Sequence, residues 1–151
     1  MTVSPEQLHE LLTYCIDFGR RMLDDSADFY PFGAMLDADG RIVSVGGSNG
    51  EEKPAPQEIY RLLWEAFASG AADGTVTAAA LAANVDIPAE YAPPVPDGIR
   101  VHLESAEFSR FIYIPYAIGT KDVVAPSRTV TLFEPIAVQI EPGIFAAAPK
   151  G

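Results

Sequence analysis

Apolar side chains near the start of the chain recur with a helical period. Leu8, Leu11, Leu12, Cys15, Phe18, Gly19 and Met22 fall on one side at about 100° per residue, and His9, Glu10, Thr13, Asp17, Arg20 and Arg21 fall on the other. Ser4-Pro5-Glu6-Gln7 adds an N-cap serine, a proline at the first helical position and a glutamine three residues after the cap, which predicts a helix from there to about Leu23. Arg20 and Arg21 are then expected in its last turn, where positive charge complements the helix dipole. The period next shortens. Phe29 to Leu36 and Arg41 to Val45 are β-type runs flanking Asp37-Ala38-Asp39-Gly40, the pattern of a hairpin. After Gly46-Gly47-Ser48-Asn49-Gly50 and a proline pair at Pro54 and Pro56, a second helix places Ile59, Leu62, Leu63, Ala66 and Phe67 on one face, with Gly70 as its stop. Tyr60 and Trp64 widen that face on one flank.

The rest of the chain reads as β. Thr75-Val76-Thr77 opens a run through Ala83; alanine favours helix, but the β-branched start, Gly74 and Val85-Asp86-Ile87 favour a strand. Residues 88–98 form a proline-rich loop with polyproline character. Ile99, Val101 and Leu103 alternate with Arg100, His102 and Glu104, the mark of a strand buried on one face. Arg110 to Ile114 forms the next strand, and Pro115, lacking an N–H, is expected to put it at an edge, end it or bulge it. Arg128 to Phe133 and Ile136 to Ile140 complete the set, and residues 142–151 are expected to fray. The expectation is a single α+β domain over residues 1–151. Its sheet is mostly antiparallel, with two amphipathic helices on one face, in the order α-β-β-α-β-β-β-β(-β).

Charge and cysteine content narrow the function classes. The formal net charge is -11, which argues against a sequence-independent grip on nucleic acid or an anionic membrane. Residues 1–97 hold 16 acids and 5 bases, and the remainder holds 5 of each, so the whole excess lies in the first part. Asp24, Asp25 and Asp28 are expected just past the first helix, where acids oppose its dipole; with Asp37, Asp39, Glu51 and Glu52 they suggest an acidic surface around the hairpin. The single cysteine excludes an internal disulfide and fits a reducing, cytoplasmic setting. The first ten residues carry no basic start or apolar run of a signal peptide, and no apolar stretch is long enough for a membrane span.

The catalytic patterns fail one by one. Zinc chemistry lacks a His-Glu-x-x-His, since His9 and His102 fall on the polar faces of different elements. Cys15 lies in the apolar stripe of the first helix and reads as a small hydrophobe. The Asp37 to Ser48 stretch resembles the start of a calcium loop but puts Arg41 at an acidic position and serine at the twelfth. The glycine-rich 46–50 stretch is followed by Glu51-Glu52 in place of Lys-Ser/Thr, and the Gly-Ser-Asn-Gly spacing departs from a serine-hydrolase elbow. No cofactor and no metal site is expected; paired carboxylates remain open, because a fold and not a spacing sets such partners.

Phe32 to Val43, running on to Asn49 and Glu51, resembles the first hairpin of cytidine and nucleoside deaminases. This chain lacks that family's His-x-Glu, Gln57-Glu58 standing at the place, and lacks its Pro-Cys-x-x-Cys, so the resemblance implies a scaffold without the zinc chemistry. Asp28 to Gly40, with Phe29-Tyr30-Pro31-Phe32-Gly33 before an Asp-Gly hairpin, and Ile114-Pro115-Tyr116 are similar to a group of small uncharacterised bacterial proteins. That resemblance implies a bacterial cytosolic origin and no catalytic activity.

Two functional expectations result. The first is a non-enzymatic, immunity- or adaptor-like module whose acidic residues Asp24, Asp25 and Asp28 bind a basic protein. The alternative is a small-molecule-binding or enzymatic domain with a pocket between helices and sheet, lined by Tyr30, Trp64, Tyr113 and Tyr116. A homodimer through the Tyr60/Trp64 flank of the second helix is a further expected partner.

Overall fold

Ser4 and Gln7 cap the first helix reciprocally: the Gln7 N–H donates to Ser4 Oγ at 3.1 Å and the Ser4 N–H to Gln7 Oε1 at 2.9 Å. In the computed structural model, which describes residues 3–26, 28–46, 55–120 and 128–146, this helix is α1 (Pro5–Ser26) and buries Leu8, Leu11, Cys15, Gly19 and Leu23. It runs past Leu23, so Asp24 and Asp25 stand inside its last turn, a turn without a basic residue, and Arg20 and Arg21 sit further back. Next come β1 (Phe32–Asp37) and β2 (Ile42–Gly46). Asp37 ties their turn together, its Oδ1 accepting the N–H groups of Asp39 and Arg41, both at 2.9 Å. Gly40 takes the left-handed conformation, φ 81°, that this three-residue loop requires.

The remaining elements are α2 (Pro56–Asp73), β3 (Val76–Asp86), a 3₁₀ turn over Ala89–Tyr91, β4 (Asp97–Ser105), β5 (Phe108–Thr120), β6 (Arg128–Leu132) and β7 (Ile136–Gln139). They bear out the α+β class and the expected order. The sheet runs β2-β1-β3-β4-β5-β6, with β7 also on β5, and every pairing is antiparallel.

The expected placement of both helices on one face is corrected. Ala78, Ala80 and Ala82 of β3 share a core with Leu11, Cys15 and Leu23 of α1, whereas Ala79 and Leu81 share another with Ile59, Leu63 and Phe67 of α2. Adjacent strand residues point to opposite faces, so the two helices sandwich the sheet. The cause lies in the connections. The chain leaves β2 on one side of β1 and returns as β3 on the other, so α2 must cross β1 over one face, which leaves the opposite face to α1. The alanine run resolves in the same way, since small side chains let a helix approach from each side. Gly33 of β1 completes the fit on the α2 face, where an added Cβ would lie 2.6 Å from Phe67 Cζ.

Pro115 neither ends nor bulges its strand. Its carbonyl accepts the Phe133 N–H at 2.9 Å, so its nitrogen also faces the outer edge of β5. That edge changes partner there: β7 pairs with Arg110 to Tyr113 and β6 with Tyr116 to Thr120. The missing N–H falls between the two partner strands, outside both paired stretches. The C-terminal segment also departs from expectation. Ile144 and Phe145 are 2% and 7% exposed against α2, so the chain is docked through Ala146, and residues 147–151 lie outside those described.

Substituting Gly33→Ala is expected to destabilise the fold by roughly 1–3 kcal/mol through overpacking against Phe67. In urea unfolding, the double variant with Phe67→Leu should lose less than the two single losses combined; full additivity would show that Phe67 does not limit the site.

Candidate functional site

β1 pairs with β3 only as far as Phe32 opposite Ala82. Beyond that point Ala83, Asn84 and Val85 have β4 on one side and the irregular segment 28–31 on the other. A cleft of about 990 Å³ opens here, between the C-terminal end of α1 and the N-terminal end of α2. Met22, Phe29, Tyr30 and Pro31 give it an apolar wall, Pro56, Gln57 and Tyr60 come from α2, and Arg100 reaches it from β4.

Its polar groups are fixed by hydrogen bonds. Asn84 donates through Nδ2 to Asp28 Oδ1 at 2.7 Å and accepts the Tyr116 hydroxyl on Oδ1 at 2.7 Å. Asp28 also accepts the Phe29 N–H at 2.8 Å. Arg100 is held on the α2 face, its guanidinium 4.6 Å from the Phe111 ring centre and 5.4 Å from that of Tyr60. Burial raises the phenol pKa values of Tyr60 and Tyr113 against the lowering pull of this nearby cation. Arg100 Nε is buried and has no hydrogen-bond partner among the described residues.

The residues singled out from sequence separate in space. Asp28 and Tyr30 line the cleft, with Tyr30 48% exposed. Tyr116 supports it through Asn84 from the α1 side of the sheet. Asp24 and Asp25 are exposed on the last turn of α1. Trp64 packs beside the docked C-terminal segment, where a Cβ on Gly143 would meet its Cζ2 at 3.0 Å. Tyr113 is buried on the α2 side, 5.5 Å from the Tyr91 ring. The four aromatics Tyr30, Trp64, Tyr113 and Tyr116 therefore do not share one pocket. Tyr60 and Trp64, whose apolar width suggested a dimer, both have partners within the chain. Glu51 and Glu52 lie outside the described residues. Arg100 is the residue that sequence reading missed. A signal existed, because its cross-strand neighbours Phe111 and Tyr113 are apolar alternates of a strand whose other face, Ile112 and Ile114, is apolar as well, so both faces had to be covered.

The same reasoning corrects His102, expected at the surface and found 5% exposed. Its Nε2 lies 2.7 Å from Glu104 Oε1, and Glu104 is itself fully buried. Glu104 accepts the Phe145 N–H at 2.6 Å, the Gly143 N–H at 3.1 Å and the Ser109 hydroxyl at 3.3 Å. Burial acts to raise its pKa, but the bonds from His102, Phe145 and Gly143 outweigh burial and hold it below the ordinary value. The set is no nucleophile relay. The carboxylate stands between serine and imidazole, so the imidazole does not face the hydroxyl as the relay requires. It serves instead to fasten the C-terminal segment to β4. Cys15 is equally inert, its thiol pushed up to about 12 by burial.

Among the described residues no three His, Cys, Asp or Glu side chains converge on a metal position, and no helix is long and apolar enough to cross a membrane. No protein-family model, curated protein or solved structure matches the chain. The geometry alone therefore carries the functional reading.

Replacing Glu104 by Gln should cost about 2–4 kcal/mol at neutral pH, because an amide cannot accept all of these bonds. Since the folded pKa is lowered, the carboxylate's contribution is complete above its unfolded value near 4.5 and is lost as pH falls through the folded value. Denaturant midpoints of the two proteins should thus converge as pH falls below the unfolded value and through the lowered folded one; a gap that stays constant with pH would refute a role for the charge.

Proposed function

We propose that the chain is a small-molecule-binding protein and that the cleft beyond the end of β1 is its site. The observation that carries this reading is the composition of the cleft: about 990 Å³ of largely apolar wall lined by a few polar groups, Asn84 and Asp28 toward the α1 side of the β3 edge and Arg100 toward the α2 side. That is the make-up of ligand sites in general, where apolar area supplies affinity and sparse polar groups supply orientation. The Asn84 side chain supports it further, held from both sides by Asp28 and Tyr116 and therefore pre-oriented before any ligand arrives.

A second reading gives the acidic end of α1 to a basic protein. It is favoured by Asp24 and Asp25 standing exposed in a helical turn that contains no base, which helix stability does not ask for.

Two measurements separate the readings. In saturation-transfer NMR of a fragment library, the cleft reading expects hits that vanish when exposed Gln57, at the cleft rim, is changed to Trp; hits indifferent to that change would refute it. For the acidic surface, changing Asp24, Asp25 and Asp28 together to Asn should weaken binding of a poly-lysine peptide by roughly tenfold at low salt, with a smaller effect at high salt. An unchanged affinity would dispose of that surface.

A further inference from the structure

Given the cleft as a ligand site, Arg100 sets the chemistry of what enters it. Of the described residues that line the cleft, Arg100 is the only base and Asp28 the only acid. Asp28 is committed to Asn84 and to the Phe29 N–H, and among the described residues no carboxylate forms an ion pair with Arg100. The guanidinium lies instead over two aromatic rings, those of Phe111 and Tyr60. These fix its position and shield it from water without neutralising it. A half-buried cation with one N–H buried and unbonded is costly to keep, and the cost falls when an anion binds beside it.

We propose that the cleft takes a small molecule with a carboxylate head on an apolar body, the head at Arg100 and the body along Met22, Phe29, Tyr30 and Pro31. The head is a monoanion because one guanidinium faces it. A phosphate, carrying nearly two charges, would call for a second cation or a cluster of N–H donors, and among the described residues the cleft offers Asp28 in their place. The body is apolar because the wall around the cation is. Tyr60 and Phe111, whose rings lie against the guanidinium, act as positioning residues.

The test uses the unmodified chain with two probes of equal shape, 1-naphthaleneacetate and 1-naphthaleneacetamide, followed in ¹H–¹⁵N spectra that include the Arg100 Nε–H. The acetate is expected to shift that resonance and the amides of residues 28–30 and 83–85, and to bind roughly tenfold or more tightly than the acetamide. Arg100→Gln should erase the preference and leave the remaining spectrum folded. Equal binding of both probes at the cleft would overturn the carboxylate assignment and leave the cleft a ligand site. A spectrum in which neither probe moves any cleft resonance would overturn both. Should Arg100→Gln fail to fold, the matched pair still decides the question in the native chain.

Discussion

The strand β3 is buried on both of its faces, and the rest of the molecule is arranged around that constraint. Residues Ala78 to Ala82 are fully buried. A central strand lined with methyl groups lets helices approach closely on each side, and close-packed interiors tolerate neither a void nor an intrusion at such a seam. Gly33, in register with Leu81 on the neighbouring strand, extends the same economy of volume so that the Phe67 ring can approach the sheet closely. Larger side chains on either strand would push one helix away and open its core.

Among the described residues, buried ionisable polar side chains gather on the face that α2 covers incompletely. There β4 presents Arg100, His102 and Glu104 in succession, and each is satisfied differently. Glu104 meets the backbone N–H groups of a returning chain end, His102 meets Glu104, and Arg100 meets aromatic rings. The first two form a closed set, which fastens the segment carrying Ile144 and Phe145 over the sheet and completes the α2 core. Arg100 stands one alternation away from that set, on the side of the cleft, with its charge uncompensated by any described carboxylate. A single strand thus supplies a lock at one end and a binding group at the other.

The acidic excess of the chain takes on a different meaning in this setting. Asp37 and Asp73 organise turns, and Asp28 anchors an amide at the cleft. Glu58 and Glu65 pair with Arg61 on the exposed side of α2, where such pairs add little stability. Much of the negative charge is therefore local architecture or solvated surface, and Arg100, the one cation among the described residues of the cleft, is the more selective electrostatic feature.

Local and periodic signals were legible in the sequence by itself: the Ser4/Gln7 cap, the apolar stripes of both helices, the Asp-Gly turn with its left-handed glycine, and the alternation of β4. Each depends on residues a few positions apart, whose geometry is set before any tertiary contact exists. Only the tertiary structure decided which face each helix covers, that the polar alternation of β4 is buried, and that the chain end docks on Glu104. Burial of a polar side chain depends on what lies above it, and Glu104 meets its backbone donors from a segment about forty residues away. Arg100, Tyr60 and Asn84 come together for the same reason: three separate elements converge where β1 ends, and no spacing along the chain encodes that meeting.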